Sequence, residues 1–348
     1  MSSVVRCAVI GLGMGKHHAD GYQNAADGKL AAVVDSDPKR LEVWAEKIGS
    51  DNCFSDYKTM LKKVKPDLVS VVLPNCLHAR VTMDCLKSGA HVLCEKPMAM
   101  NLNEARKMAE TAIKTKRKLG INLSYRFTPP ARALKDLADS GFLGKAYHAF
   151  TCWTRRDGFP GFGSWFGQKK MSGGGPLIDL GVHRLDMAMW LMGGPQPISV
   201  SGSAHYHIGV PRGKAQRKKF DVEDFATGFV RFDNGASLVF EISWGGHQGQ
   251  PERMSTIVTG TKGTLVHRNE GGGYNFVGEC YSEVGGHKLN GEVAAANPNV
   301  KNAYAEMVDC VAHNKPFLAD MEDGLRVQRV LDGLYQSAKL GREVRVTA

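Results

Sequence analysis

Asp179 and His183 are the pair of side chains whose types and spacing most directly indicate chemistry. They lie four residues apart, after three glycines and Pro176, so a helix that begins at the proline carries both on one face. An imidazole titrates near neutrality, and His183 can therefore take the proton of a substrate hydroxyl. Asp179 would bind that hydroxyl or orient the imidazole, and Asp186 is a second candidate for the orienting role. The alternative is a core histidine satisfied by a neighbouring aspartate.

Lys96 is the third candidate catalytic residue. It stands in Glu95-Lys96-Pro97, directly after the apolar run 91–94. If that run is a strand, the ammonium emerges at its carboxyl end, where it can stabilise negative charge that develops on an oxygen during hydride transfer. Pro97 restricts the backbone after the lysine. A solvated surface cation is the alternative.

A glycine-rich turn near the N-terminus predicts a dinucleotide site. Gly11 and Gly13 follow the first apolar run and precede a helical pattern, which suits a tight turn that lets backbone N–H groups approach a pyrophosphate. The third glycine of the usual pattern would be at position 16, where Lys16 stands, and Gly15 comes one place early.

Asp35 ends the second apolar run, ~20 residues past the turn, where a carboxylate accepts both ribose hydroxyl hydrogens of NAD. The alternative is that it caps the next helix. Nearby Arg40 leaves NADP possible. The predicted cofactor-binding residues all lie at the glycine turn or at strand ends: Gly11, Leu12, Gly13, Met14, Asp35, Arg40, Pro74, Asn75, His78, Glu95 and Lys96. For His78, a plain helix-start role is equally compatible with the sequence.

Other chemistries find little support. His17-His18 and His205-Tyr206-His207 lack a third ligand at suitable spacing, so we predict no metal site. No GxSxG motif indicates a serine nucleophile.

The elements that must position these residues fall into two patterns. Short apolar runs alternate with helical segments as far as residue 123, which predicts βαβ units and a doubly wound parallel sheet. The predicted strands are 5–11, 30–34, 68–73, 91–94 and 119–123. We therefore predict a dinucleotide-binding domain over 1–123 and a substrate-binding and oligomerisation domain over 124–348.

The second domain has a different rhythm. The alternating runs 225–232 and 237–244, joined by Asp233-Asn234-Gly235, predict a hairpin in an antiparallel or mixed sheet. A single continuous helix is expected from Pro176 to Met192. We expect surface loops over 205–219 and 270–299, and two helices over 302–312 and 320–340 that close this domain.

Composition limits the remaining possibilities. A chain of 348 residues with 43% hydrophobic residues supports two cores. The net charge of +10 is spread over helix faces, so we expect no nucleic-acid partner. Eight cysteines without a CxxC pair indicate a reducing compartment, and the N-terminus shows no secretory leader, so a cytoplasmic location is expected. No uncharged apolar run approaches the ~20 residues of a membrane span.

Taken together, several of these motifs resemble one known family. They are the glycine turn with Asp35, Pro74-Asn75-x-x-His78, Glu95-Lys96-Pro97, Gly-Gly-Gly-x-x-x-Asp179-x-Gly-x-His183 and the closing Glu322-Asp323-Gly324. The chain is similar over nearly its whole length to the glucose-fructose oxidoreductase, inositol dehydrogenase and rhizopine-catabolism (Gfo/Idh/MocA) family.

This resemblance implies a Rossmann domain followed by an α/β domain with an open, mostly antiparallel sheet, often used to form homo-oligomers, here a dimer or tetramer. It also implies that the lysine and histidine serve the oxidised hydroxyl and that the aspartate binds substrate. The substrate-binding set expected on these grounds is Lys96, Arg126, Trp153, Arg155, Asp179 and His183.

The function expected is NAD(H)-dependent transfer of a hydride between nicotinamide and a carbinol carbon of a sugar, polyol or sugar derivative. One alternative is a glycosidase that uses NAD to oxidise a ring hydroxyl transiently and eliminates the aglycone. A second is a dinucleotide-binding regulator, which would need none of Lys96, Asp179 and His183.

Overall fold

The computed structural model describes residues 4–346, which divide into two compact units. The first unit contains residues 4–124 and 301–325, and the second contains 125–300 and 326–346. The domain limits that we drew at 123 and 124 stay a prediction. Segment 301–325, however, belongs to the first unit, although we had placed it in the second.

The first unit is built on a six-stranded parallel sheet in the order β3-β2-β1-β4-β5-β6. Its strands are β1 (Val5–Ile10), β2 (Gly28–Val34), β3 (Cys53–Phe54), β4 (Leu68–Val71), β5 (His91–Cys94) and β6 (Leu119–Ile121). Its first five helices are α1 (Gly15–Gln23), α2 (Pro38–Ile48), α3 (Tyr57–Val64), α4 (Asn75–Lys87) and α5 (Leu102–Thr115).

This architecture confirms the predicted doubly wound sheet. The central strand β4 is buried throughout, as expected where helices cover both faces of a parallel sheet. Strand order reverses between β1 and β4, and ligands of such sheets bind at the carboxyl ends of the strands beside that reversal. Strand β3 was not predicted because two residues carry no periodicity.

The second unit is built on a nine-stranded sheet in the order β14-β13-β12-β11-β7-β10-β9-β8-β15. Its strands are β7 (Ala146–Arg155), β8 (Pro197–His205), β9 (Phe225–Phe232), β10 (Ser237–Ser243), β11 (Glu252–Gly260), β12 (Gly263–Asn269), β13 (Phe276–Val284), β14 (His287–Glu292) and β15 (Val344–Arg345). Only β7 and β10 pair in parallel, so the sheet is mixed and mostly antiparallel, as predicted.

The remaining helices follow the sheets in chain order. They are α6 (Pro129–Asp139), α7 (Lys169–Ser172), α8 (Val182–Leu191), α9 (Gly209–Ala215), α10 (Ala303–Ala312) and α11 (Met321–Leu340). Both helices expected in the C-terminal tail are present. Helix α10 nevertheless contacts α1 and β1 of the first unit, so it does not close the second domain as we had predicted.

Two loop predictions were wrong. Region 270–299 contains β13 and β14, which form an antiparallel hairpin, and region 205–219 contains α9. All six residues of β14 are exposed, so no apolar alternation marks the strand in the sequence. Pairing with β13, a tertiary feature, decides its conformation.

The helix that carries Asp179 also differs from the expected continuous α-helix. Leu177–Gly181 form a π-helical turn that leads into α8. Such wide turns inside helices occur frequently at functional sites.

Two general properties complete the description. All eight cysteines are free thiols, and Cys7, Cys85 and Cys94 are buried, as predicted. Within residues 4–346, no helix combines the length and apolar character needed to cross a bilayer.

Candidate active site

The carboxyl edge of the parallel sheet carries the predicted cofactor residues. Gly11 follows β1, Asp35 follows β2, Pro74 and Asn75 lie between β4 and α4, and Glu95 follows β5. Because parallel strands end at the same edge, one surface of the first unit collects all of them.

The three glycines of the first turn have different steric roles. Gly11 has φ +93°, and a Cβ there would lie 2.0 Å from the carbonyl oxygen of Val72, so only glycine fits. A Cβ on Gly13 would meet nothing nearer than Arg40 Nη1 at 3.8 Å, which leaves space for a phosphate. A Cβ on Gly15 would lie 2.9 Å from Val9 Cγ1. Gly15 therefore allows the close packing of helix on strand that the third glycine usually provides.

Asp35 is buried and organises the turn electrostatically. Its Oδ2 accepts hydrogen bonds from the Leu12 N–H at 2.7 Å and from Arg40 at 3.3 Å, and its Oδ1 accepts one from the Asp37 N–H at 2.9 Å. Burial raises the pKa of Asp35, but these donors outweigh it and the net pKa is lowered. Asp37, not Asp35, caps α2 by accepting from Lys39 N–H. An ionised carboxylate at this position fits the ribose hydroxyls of NAD.

His78 links two strand ends. Its Nδ1 lies 2.8 Å from the Pro97 carbonyl oxygen, and its Nε2 lies 2.7 Å from the Leu73 carbonyl oxygen. Burial lowers the pKa of His78, opposed by these two carbonyls. The histidine thus ties the loop after β4 to the loop after β5, and its predicted contact with the cofactor stays a prediction.

Glu95 accepts hydrogen bonds from three groups of the first unit. Its Oε1 accepts from His18 Nε2 at 2.9 Å and from Asn122 Nδ2 at 2.5 Å, while its Oε2 accepts from the Lys96 N–H at 3.1 Å. The carboxylate therefore fixes the backbone that presents Lys96. Its predicted contact with the cofactor is not tested by these bonds. The Lys96–Pro97 peptide is cis.

In the second unit, the π-helical turn presents Asp179. The indole Nε1 of buried Trp244 donates to Asp179 Oδ2 at 3.1 Å. That bond orients the Asp179 carboxylate. The sequence did not indicate that Trp244 takes part in this site.

Two of the three glycines before Asp179, Gly174 and Gly175, are needed for close packing. A Cβ on Gly174 would lie 1.9 Å from the Tyr335 hydroxyl, and one on Gly175 would lie 2.0 Å from the Glu223 carbonyl oxygen. These contacts show that Gly174 and Gly175 let two elements approach the chain. Buried Glu223 accepts from the Leu177 N–H at 3.2 Å and from the Tyr335 hydroxyl at 2.8 Å.

Aromatic rings surround His183 on helix α8. The ring of Tyr125 lies 4.7 Å from the imidazole and that of Trp153 lies 5.9 Å from it, between centroids. Trp153 is itself buried, and its Nε1 donates to Glu252 Oε1 at 2.7 Å. Arg155 donates to the same oxygen at 2.6 Å. The structure thus places His183 beside the rings of Tyr125 and Trp153, an aromatic wall, and joins Trp153 and Arg155 through the Glu252 carboxylate.

Arg184 is an unusual component of this wall. The side chain is fully buried, and its guanidinium carbon lies 5.0 Å from the Tyr125 ring centroid, 5.8 Å from that of Trp153 and 5.5 Å from that of Phe276. Among the described residues its Nε and Nη2 have no hydrogen-bond partner. Burial lowers the pKa of Arg184 to about 10. Ring faces, not a carboxylate, solvate this cation.

Arg126 lies in a buried ion pair with Asp186. It is 1% exposed, and its Nε and Nη2 donate to the two oxygens of Asp186 at 2.9 and 2.6 Å. This bidentate pair joins the 3-10 turn 124–127 to α8. Arg126 has a structural contact here, and its predicted contact with substrate stays a prediction.

One group of possible metal ligands occurs among residues 4–346. Ligand atoms of Asp27, Asp309 and His313 lie within 4.8 Å of one another. Asp309 also pairs with Lys301 and Lys315. Two ammonium groups compete with any cation there, so we assign this group no function.

Sequence reasoning missed His18, Asn122, Glu223, Trp244 and Arg184. Each acts through another side chain that is distant in sequence. His18 follows His17 on α1, and only burial distinguishes the two. No local pattern would have identified them.

Replacing Asp35 should change the choice of cofactor. In Asp35→Ser the acceptor for the ribose hydroxyls is lost and Arg40 becomes available to a 2′-phosphate, so we expect NADH affinity to fall ~10-fold or more and NADPH affinity to rise. Fluorescence titration of both nucleotides measures this. Asp51→Ser, an exposed change in the same unit, is the control. Unaltered NADH affinity in Asp35→Ser would contradict the assignment.

Replacing Glu223 should alter the pH dependence of stability. Burial raises the pKa of Glu223, against the opposing effect of its hydrogen-bond donors. Stability from a raised carboxyl pKa is present below the unfolded pKa and is lost as the pH rises through the folded pKa. Glu223→Gln stays neutral, so its stability relative to the wild type should be greater at about pH 8 than at about pH 5, as measured by urea unfolding. An equal difference at both pH values would mean that Glu223 is ionised in the native state.

Comparison with known proteins adds independent information. The family model described as an oxidoreductase family with an NAD-binding Rossmann fold matches residues 5–123, and the model for the GFO/IDH/MocA C-terminal domain matches residues 131–266. The D-glucoside 3-dehydrogenase of Escherichia coli is 35% identical over 99% of this chain and 98% of its own. The myo-inositol 2-dehydrogenase of Thermotoga maritima is 30% identical over 76% of this chain and 75% of its own.

A solved structure shows the same fold. An oxidoreductase domain protein from Kribbella flavida superimposes with a TM-score of 0.88 at 23% identity, over 100% of both chains. The cofactor turn, the Glu-Lys-Pro strand end and the helix of Asp179 and His183 therefore occur in a known context: the chain belongs to the Gfo/Idh/MocA family of NAD-binding oxidoreductases.

Proposed function

We propose that the protein is an NAD-dependent dehydrogenase that oxidises a secondary ring hydroxyl of a D-glucoside or related sugar. The observation that carries this proposal is the presence of the complete set Lys96, Asp179 and His183 on an NAD-binding oxidoreductase chain. The choice of a glucoside is supported by the relative named D-glucoside 3-dehydrogenase, which matches almost the entire chain. Polyols such as inositol are the second substrate class, supported by the inositol dehydrogenase relative.

The roles of the three residues follow from their chemistry. Bound NAD would accept the hydride from the carbinol carbon. The imidazole of His183 takes the hydroxyl proton, the Lys96 ammonium donates a hydrogen bond to the same oxygen, and Asp179 accepts one from a neighbouring hydroxyl. Lys96 belongs to the first unit, and Asp179 and His183 belong to the second. The proposal requires that all three reach one substrate molecule.

The surroundings of His183 support a sugar ring as the ligand. Tyr125 and Trp153 present aromatic surface beside the imidazole, and the Arg155 Nη2 lies 3.3 Å from the hydroxyl of exposed Tyr274. Binding sites for small molecules commonly combine apolar ring surface with a few oriented polar groups. Trp153 and Arg155 are proposed to line this site.

We also propose that the protein is a homo-oligomer, a dimer or tetramer, in the cytoplasm. On one face of the nine-stranded sheet, Phe150 lies opposite Val239 and Ile257, and Val239 lies opposite Phe229. These four apolar side chains, the apolar row, are only half-buried. A second copy would cover the apolar row. The free thiols are consistent with a reducing compartment.

Catalytic substitutions test the activity. Lys96→Ala and His183→Ala should each lower kcat by ~10²–10⁴-fold, because each removes a group that acts on the reacting oxygen. The assay follows reduced nicotinamide and released aglycone together, with free sugars, inositols and aryl D-glucosides as substrates. Lys87→Ala and His207→Ala, both exposed, are the matched controls.

The same assay separates the alternatives. Reduced cofactor that accumulates with oxidised sugar supports the dehydrogenase. Aglycone released without accumulating NADH would identify a redox glycosidase. Cofactor binding without either product, from any of these substrates, would favour a dinucleotide-binding regulator.

A charge in the apolar row should weaken the oligomer. Val239→Glu puts a carboxylate in the middle of the row, where burial against a partner would be costly, so we expect a shift toward monomer in light scattering coupled to size exclusion. Lys62→Glu, exposed in the first unit, is the control. An unchanged mass for Val239→Glu would exclude this face as the interface.

A further inference from the structure

We propose that His18 is a positioning residue for the catalytic lysine, which it holds through Glu95. This inference rests on the role of Lys96 in the proposed function. It assigns a task to a buried histidine that belongs to neither of the sets predicted from the sequence, and it explains why a carboxylate stands directly before that lysine.

The first support is a continuous chain of hydrogen bonds. The Tyr22 hydroxyl lies 2.5 Å from Ser70 Oγ, Ser70 Oγ lies 2.8 Å from His18 Nδ1, and His18 Nε2 lies 2.9 Å from Glu95 Oε1. The Tyr22 hydroxyl can donate to Ser70 Oγ, and the Ser70 hydroxyl can donate to His18 Nδ1. The N–H at His18 Nε2 then donates to the ionised Glu95 carboxylate. Helix α1, strand β4 and the chain directly after β5 are joined in this way.

The Tyr22 end of this series of hydrogen bonds has no access to solvent, and this determines what the network can do. Tyr22 is 0% exposed, Ser70 is 0% exposed and His18 is 1% exposed. A proton relay needs an exit to solvent, and the buried tyrosine provides none. The network therefore stabilises the ionised form and the position of Glu95, and it does not transfer protons. Both His18 nitrogens have partners, which also excludes the metal-ligand alternative for His17-His18.

The network keeps Glu95 ionised beside Lys96. Burial raises the pKa of Glu95, but the hydrogen bonds from His18 and Asn122 and the positive charge of Lys96 together lower it to about 2. His18 also contacts Asn122, whose Nδ2 lies 3.5 Å from His18 Nε2, and the ring of Tyr304 on α10, with 4.4 Å between centroids. Tyr304 packs the imidazole in place.

The backbone around Lys96 is held on both sides. Its N–H donates to Glu95 Oε2 at 3.1 Å, and the carbonyl of the next residue, Pro97, lies 2.8 Å from His78 Nδ1. Displacement of a catalytic group by about 1 Å can lower a rate ~10²-fold. Loss of the His18 donor would release Glu95 and, with it, one of these two attachments.

The test compares four full-length variants with the wild type. His18→Leu removes the donor with little change in size. His18→Gln keeps an amide N–H that can reach Glu95. His17→Leu is the matched control, because His17 is the exposed neighbour on the same helix. Glu95→Gln removes the charge without removing the side chain, and it serves if His18→Leu does not fold.

Two readouts are used, and one needs no turnover. The first is acetylation of the Lys96 amine by acetic anhydride, quantified by peptide mass spectrometry relative to exposed Lys87. Acetylation depends on how far the amine is exposed, so release of the backbone that presents Lys96 should change the relative rate ~3–10-fold in His18→Leu and Glu95→Gln. The second is steady-state kinetics together with the NADH dissociation constant.

We expect kcat to fall ~10–100-fold in His18→Leu, with NADH affinity within about twofold of the wild type, and to recover largely in His18→Gln. His17→Leu should match the wild type in both readouts. A purely structural role would lower thermal stability without changing Lys96 acetylation. Unchanged acetylation and kcat in folded His18→Leu or Glu95→Gln would overturn the inference. An inactive wild type would contradict the proposed function instead, and acetylation would still decide the role of His18.

Discussion

The candidate cofactor site of the first unit depends on one geometrical constraint, which is that parallel strands all end at the same edge of the sheet. Gly11, Asp35, Pro74 and Glu95 follow four different strands and are brought together for that reason alone. The turn after β1 is then restricted further, since only a glycine fits against the carbonyl of Val72. The N–H of Leu12 in this turn donates to Asp35. The glycine turn is therefore a property of backbone geometry, and Asp35 is the residue that we propose selects the nucleotide.

Buried charges show a second principle. Glu95 is supported by three donors, and Asp186 and Arg126 satisfy each other in a bidentate pair. Arg184 has only ring faces around much of its guanidinium. Burial of each of these charges would cost free energy without its partners. Each arrangement lies within a few residues of a candidate catalytic side chain. Local rigidity near Lys96 and near His183 follows from these partners, because a side chain that satisfies a buried charge cannot move freely.

The glycines illustrate how one residue type serves different purposes. Gly13 leaves open space, Gly15 allows a helix to pack on a strand, and Gly174 and Gly175 admit Tyr335 and the backbone of Glu223. In the sequence, Gly174 and Gly175 belong to a glycine-rich loop before Pro176. The structure shows a closely packed one, because the atoms that fill the space come from residues far away in the chain.

The sequence by itself determined the alternation of strands and helices up to residue 123, the Gly-rich turn with Asp35, and the helical segment that contains Asp179 and His183, because these depend on local periodicity and spacing. It did not determine β14, which has no buried face, or the π-helical turn at Asp179. It also could not assign α10 to the first unit or connect His18 with Glu95. Such features depend on which distant segments meet, and only the tertiary structure decides that, since burial and hydrogen-bond partners are not encoded in nearest neighbours.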